Sequence, residues 1–392
     1  MSNTQKKNVP ELRFPGFEGE WEEKKLGEFA GKVTPKNVDK KYIETLTNSA
    51  ELGIISQKDY FDKEISNIDN IKKYYVVEEN DFVYNPRMSN YAPFGPVNRN
   101  KLGKKGVMSP LYTVFKIQNI DLNFIEFYFK SSKWYRFMAL NGDSGARADR
   151  FSIKDRTFME MPLHIPCMDE QIKIGQFFSK LDRQIELEEQ KLELLQQQKK
   201  GYMQKIFSQE LRFKDENGKD YPEWEETTIK EIAQINTGKK DTKDAITNGS
   251  YDFYVRSPIV YKINTFSYEG EAILTVGDGV GVGKVFHYVN GKFDYHQRVY
   301  KISDFKNYYG LLLFYYFSQN FLKETKKYSA KTSVDSVRKD MIANMKVPRP
   351  IYIEQKKIGQ FIKRVDNKTK IQKQVIELLK QRKKSLLQKM FI

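Results

Sequence analysis

Few residues in this chain have the types and spacing that chemistry requires. The segment TVGDGVGVGK at 275–284 carries the glycines of a phosphate-binding loop. It lacks the four-residue gap ahead of Gly-Lys, and no Ser or Thr follows Lys284. Strand-like KVFHYV comes next, where a nucleotide loop needs a helix N-terminus. The glycines instead read as a hairpin whose backbone lets a ligand approach closely. Three scattered histidines (His164, His287, His296) and the single Cys167 cannot supply a structural zinc site. No Ser/His/Asp set and no nuclease-like acidic motif stands out. The carboxylates sit in helix-like runs such as 186–193, where a solvated face is the ordinary reading. The expectation is a chain that is not an enzyme and holds no cofactor of its own.

Basic side chains are the more informative set. Arg87, Arg147, Arg150, Lys284, Arg298 and Lys331 fall in expected loops or at strand ends, with Asn85 beside the first of them. Lys154 and Arg338 lie in two matching polar loops. Arginine reads guanine bidentately and asparagine reads adenine, so these nine residues form the candidate DNA-binding set. Plain surface charge or phosphate contact is the competing role for each. Asn85-Pro86-Arg87 resembles the start of the Asn-Pro-Pro-Tyr signature of adenine methyltransferases. Arg87 replaces its second proline, however, and no glycine-rich cofactor loop follows a strand elsewhere.

Composition agrees with a nucleic-acid surface. The formal charge is +16 in 392 residues, and phosphate neutralisation with counterion release suits such an excess. Aromatics at 14% and hydrophobics at 39% argue for folded protein with room for two or three domains. No apolar run reaches the ~18 residues of a membrane span, and no signal-peptide pattern is present. The lone cysteine excludes an internal disulfide, so a cytoplasmic protein is expected.

The elements that position these residues are duplicated. Residues 170–177 read EQIKIGQF and 354–361 read EQKKIGQF, an offset of 184 that holds without a gap to the C-terminus. Each copy opens a 3.5-residue apolar repeat. The first places Ile174, Leu181, Ile185, Leu192 and Leu195 on one seam, and the second Ile358, Val365, Ile376, Leu379 and Leu386. Such a repeat marks a coiled-coil helix that needs a partner, and the other copy is the obvious one. Glu188 and Lys199 interrupt the first seam, and Gln372 and Lys383 the second; polar seam residues restrict register. At about 38 residues each, the helices span roughly 57 Å.

A second shared landmark precedes each globular stretch. LRF at 12–14 leads to WEEKKLGEFA at 21–30, and LRF at 211–213 leads to WEETTIKEIA at 224–233. Strands are expected over 74–86, 110–117, 271–279, 283–289 and 297–302, and helices over 124–140 and 308–325. SGARADRFSIKD (144–155) aligns with YSAKTSVDSVRKD (328–340), setting Arg147 against Lys331 and Lys154 against Arg338. MPLHIP and MKVPRP then run into the long helices. The fold class is α+β with an internal pseudo-twofold repeat. The expected segments are a first globular domain over 1–166 with a loose arm at 1–10, a helix over 167–208, a second domain over 209–350 and a helix over 351–392.

The doubled LRF…W-E-E lead-ins, E-Q-x-K-I-G-Q-F helix starts and LL-x-Q-x-KK…Q-K-x-F helix ends resemble the specificity subunit of Type I restriction-modification systems. The resemblance covers essentially the whole chain. It implies two target recognition domains that each read one half of a split double-stranded DNA site, with two constant helices packed antiparallel as a coiled coil between them. It also implies two methyltransferase subunits and two restriction subunits as partners. S-adenosylmethionine, ATP and magnesium would then be used by those partners, and the adenine would be flipped into the methyltransferase pocket. The competing expectation is a coiled-coil adaptor for RNA or acidic proteins.

Overall fold

The computed structural model of the chain describes residues 8–61, 70–144, 149–328 and 336–392. The chain divides into two compact units, one of residues 1–189 and 374–392 and one of residues 190–373.

The first unit begins with β1 (Glu22–Lys25), β2 (Ala30–Lys32), β3 (Leu46–Ser49), β4 (Gly53–Ser56) and the one-turn α1 (Gln57–Phe61). It continues through β5 (Tyr75–Val77), β6 (Phe82–Tyr84), β7 (Val97–Arg99), β8 (Gly106–Met108) and β9 (Thr113–Ile117). Then come α2 (Leu122–Lys130), α3 (Tyr135–Asn141), β10 (Asp143–Ser144), β11 (Phe151–Ser152), α4 (Asp155–Met159), β12 (Pro162–Ile165) and the long α5 (Met168–Phe207). The main sheet has the order β2-β9-β6-β7, and smaller antiparallel pairs join β1 to β12, β3 to β4 and β5 to β8. Alternation explains why β6 is central. Phe82 and Tyr84 enter the large aromatic core with Phe115, Phe124 and Phe158, while Val83 faces a second cluster of Leu46, Ile54 and Val114.

Two expectations change here. The helix expected over 124–140 is broken, because Ser131 is extended (φ −80°, ψ 173°). Its hydroxyl caps the Tyr128 carbonyl at 2.6 Å, and Trp134 Nε1 donates to the Phe129 and Ser131 carbonyls at 3.1 Å each. Those side chains satisfy the carbonyls that a continuing helix would use. The end of the expected loose arm is tied down: Pro10 is buried and the Asn8 carbonyl accepts from the Trp21 N–H at 2.7 Å.

The second unit holds β13 (Glu225–Thr228), α6 (Ile229–Ile232), β14 (Gln234–Thr237), β15 (Tyr251–Tyr254), β16 (Val260–Ile263), β17 (Tyr268–Val276), β18 (Phe286–Tyr295) and β19 (Val299–Ser303). They are followed by α7 (Gly310–Lys326), α8 (Lys339–Ala343), β20 (Lys346–Arg349) and α9 (Tyr352–Met390). Six strands form one sheet in the order β14-β19-β17-β18-β15-β16, and β13 pairs with β20 as β1 pairs with β12. Helix α7 runs unbroken, as the apolar pattern predicts, and buries Leu311, Leu312, Phe317 and Phe321 against the sheet. Among the described residues no helix is long and apolar enough to cross a membrane.

Candidate nucleic-acid interface

One set of contacts, made once in each unit, fixes the frame that carries the basic loops. In the first unit Arg13 grips buried Glu170 with two hydrogen bonds, Nε to Oε1 at 2.8 Å and Nη2 to Oε2 at 2.7 Å. In the second, Arg212 Nη2 reaches both oxygens of buried Glu354 at 3.4 and 3.2 Å, and Trp224 Nε1 donates to the same carboxylate at 3.0 Å. The following glutamine pins a helix start. Gln171 accepts from the Asp121 N–H at 3.0 Å and donates to the Pro166 carbonyl at 2.9 Å. Gln355 does the same between Tyr309 and Pro350, at 2.7 Å each. A Cβ on Gly175 would lie 2.6 Å from Asp121 Oδ1, and one on Gly359 would lie 2.8 Å from the Tyr309 ring. Glycine is therefore what lets the long helix touch α2 or α7.

The LRF lead-in completes the frame. Phe14 packs edge-on against Phe177 and Phe213 against Phe361, both at 5.5 Å. The Leu12 N–H donates to the Lys389 carbonyl, and the Leu211 N–H to the Lys205 carbonyl, both at 2.9 Å. Those carbonyls are among the orphans at a helix end. The first lead-in thus caps the end of α9 and the second caps the end of α5. Each unit combines the beginning of one long helix with the end of the other.

Within the first unit these helix portions run antiparallel: Phe178 stacks with Phe391, Asp182 pairs with Lys383, and Glu189 meets Lys380 at 2.6 Å. Within the second, Lys199 meets Asp366 at 2.5 Å and Tyr202 packs against Phe361 at 5.2 Å. The offset of 184 relates Asp182 to Asp366 and also Lys199 to Lys383, so the two ion pairs are one contact made in both units. Neither aspartate lies on the apolar repeat, and periodicity does not point to them; their recurrence at the common offset does. Burial lowers the pKa of the Lys383 ammonium, helped by neighbouring Lys130 and opposed by Asp182.

The expected seam residues separate by depth. Ile174, Leu181, Ile185, Ile358 and Ile376 are buried, whereas Leu192, Leu195, Val365, Leu379 and Leu386 are half-buried. Leu387, which the apolar repeat passes over, is buried next to Leu386. Leu187, Leu194, Ile371 and Leu378 remain exposed on α5 and α9.

The basic residues gather around one backbone feature present in both units. A single bridge joins the exit of a central strand to the stretch leading into a short helix, Arg87 opposite Arg150 in one unit and Asp278 opposite Ser336 in the other. The Phe151 N–H donates to the Pro86 carbonyl at 2.8 Å, and the Val337 N–H to the Gly277 carbonyl at 2.7 Å. Lys154 and Arg338 take the same place, the exposed residue ahead of α4 and of α8.

Around the first bridge, Arg87 is exposed with its Nε 3.7 Å from Asp149 Oδ2. Arg87 and Arg150 border an open cleft of about 710 Å³ with Tyr60, Tyr91 and Tyr112. Asn85 differs from its expected role: its Nδ2 donates to the Asn48 carbonyl at 2.8 Å and its Oδ1 accepts from the Arg87 N–H at 3.0 Å. The amide is engaged at both ends within the protein. Arg147 and Lys331 lie outside the described residues.

Around the second bridge, Asp278 holds two guanidinium groups, Arg256 Nη1 at 3.3 Å and Arg298 Nε at 3.6 Å. Lys284 is exposed and makes no ion pair among the described residues. Arg256 is absent from the sequence-derived set. It sits in YVRSPIV, just after β15, and the packing of the second unit brings it to Asp278 at the exit of β17. His296 accepts from the Arg298 N–H through Nδ1 at 2.9 Å. Burial, with Arg256 nearby, lowers its pKa, opposed by Asp241 and Asp278. No group of His, Cys, Asp and Glu among the described residues is placed to hold a metal ion.

A duplicated α+β frame with two exposed basic platforms defines a two-domain recognition protein. The chain belongs to the family described as the Type I restriction modification DNA specificity domain, matched over residues 18–197 and again over 221–381. It is a DNA-recognition subunit rather than a catalytic one. It is similar to the Type I restriction enzyme MjaVIII specificity subunit of Methanocaldococcus jannaschii, 24% identical over 341 residues and covering 73% of each chain. It is also similar to the EcoDI specificity subunit of Escherichia coli, 25% identical over 174 residues, 43% of this chain and 38% of that one. The fold is shared with the crystal structure of a Type I restriction-modification S subunit from M. genitalium, with a TM-score of 0.61 at 15% identity over 98% of this chain and 99% of that one.

Proposed function

We propose that each globular domain reads one half of an asymmetric, bipartite double-stranded DNA site, and that α5 and α9 form an antiparallel coiled coil that sets the unread spacer. One observation carries this reading. The Arg–Glu, Gln and Phe contacts and the Asp–Lys pair are repeated in both units, while the basic side chains mounted on them differ. A common frame with different readers gives two different half-sequences presented in opposite polarity, much as dimer geometry fixes half-site spacing. Base-edge contacts from Arg87, Arg150, Arg256 and Arg298 supply specificity, while Lys154, Lys284 and Arg338 act on phosphates. The segments are the four expected from the repeat: domains over 1–166 and 209–350, helices over 167–208 and 351–392.

On this reading the helices also dock two methyltransferase subunits, a role supported by the exposed apolar pairs Leu187 and Leu194 on α5 and Ile371 and Leu378 on α9. Two restriction subunits complete the assembly, which works in the cytoplasm. S-adenosylmethionine, ATP and magnesium serve those partners rather than this chain. Methylome sequencing of a host expressing the complex tests the reading: marks should fall in an asymmetric split sequence. Inserting residues within 187–200 should change the spacer and leave both half-sequences intact. Altered half-sequences would refute the ruler.

A further inference from the structure

We propose that Val280 reads the 5-methyl group of a thymine in the half-site bound by the second domain, an inference that rests on the DNA-recognition reading above. Val280 is 94% exposed, more than any other large apolar side chain among the described residues. Its exposure is not looseness of the turn, because Val282 and Val285 in the same segment are buried in the core. Gly279, at φ +78°, turns the chain outward. A Cβ on Gly281 would lie 2.9 Å from the Arg256 carbonyl, so the turn is seated directly on the backbone that carries Arg256. The residue before the turn, Asp278, holds Arg256 and Arg298, and Lys284 closes the turn as an exposed residue.

An apolar tip on a turn that ends at Lys284, and whose Asp278 holds Arg256 and Arg298, fits a surface that is anionic at its edges and offers a methyl group within. The thymine methyl is the apolar feature of base edges in the major groove. Valine suits this contact because its β-branched side chain has little rotamer freedom to lose. Burying one methyl group corresponds to about a fourfold change in affinity.

The test uses the full chain in complex with its methyltransferase subunits and a duplex bearing the mapped site. Each thymine of the second half-site is replaced in turn by deoxyuridine, which removes only the methyl group, and Kd is measured for wild type and Val280→Ala. One replacement should weaken wild type about fourfold and leave the variant unchanged. Arg256→Ala should weaken binding to the parent duplex and to each deoxyuridine-substituted duplex by the same factor. The proposal is overturned if no replacement separates wild type from Val280→Ala, or if the second half-site contains no A·T pair. Should wild type not prefer its mapped site over a scrambled duplex, DNA recognition itself falls, and the methyl contact with it. A retained preference with no methyl effect removes Val280 alone.

Discussion

Helix α5 carries both members of the seam ion pair, Asp182 and Lys199, because Lys199 and Lys383 occupy equivalent places. A fragment of residues 1–209 is therefore self-complementary: in a homodimer, residues 190–207 of one copy take the place of 374–391 in the other. Each dimer would contain the Asp182–Lys199 contact twice. Two charge variants convert this into a test. Asp182→Lys gives a helix with lysine at both positions, and Lys199→Asp gives one with aspartate at both. Either variant alone can pair only like charges, whereas a mixture restores both contacts. Two unit charges 4 Å apart interact by about 4 kcal/mol at an effective dielectric of about 20. These side chains are 17–37% exposed, which reduces each contact to about 1 kcal/mol. Turning attraction into repulsion then shifts each contact by about 2 kcal/mol and a dimer by about 4, roughly a thousandfold in Kd. Sedimentation of each fragment alone and of the mixture should show monomers, monomers and heterodimers. Homodimers of Asp182→Lys as tight as wild type, or a mixture that ignores charge, would refute the register role of the pair.

The frame contacts make further predictions. Arg212→Met leaves the buried carboxylate of Glu354 with no cation and only the Trp224 hydrogen bond, and should cost about 3–5 kcal/mol in urea unfolding; a loss under about 1 kcal/mol would mean that the pair is dispensable. Gly175→Ala drives a Cβ into Asp121 and Phe124 and should destabilise by about 1–3 kcal/mol. Gly201→Ala, which meets no atom within 4 Å on the same helix, should instead stabilise by about 0.5–1 kcal/mol. Equal signs for the two in thermal melts would contradict the close approach of α5 to α2. Hydrogen bonds from Lys105 and Lys116 lower the Glu78 carboxyl to about 2. Its folded pKa lies below its unfolded value, so its contribution is present above the ordinary pKa of 4.5 and lost as pH falls from there toward 2. Glu78→Gln should flatten that part of the acid-unfolding profile; an unchanged profile would count against the paired carboxylate.

Duplication was legible in the residues themselves, since identity at a fixed offset needs no geometry. The offset of 184 gave the two long helices and the MPLHIP and MKVPRP segments that lead into them as β12 and β20, whereas the short helices α4 and α8 sit at matching places at the ends of stretches that read only as polar loops. The apolar repeat located the deeply buried Ile174, Ile185, Ile358 and Ile376, because period alone decides which helix face is apolar. Period does not decide how a polar side chain on that face is satisfied. The partners of Lys199 and Lys383 come from the other helix, far away in the chain, so only packing brings Asp366 and Asp182 to them. The lead-in motif shows the same division. Arg13 and Glu170 could be counted as a repeated pair of motifs, but their bidentate contact exists only where the chain returns after 157 residues. Basic loops were readable as a class from charge. Which of them stand together was decided by strand exits and single backbone bridges, which took the Asn85 amide inward and brought Arg256 to Asp278. Composition and spacing fix what a residue is able to do; long-range contacts fix what is left free to do it.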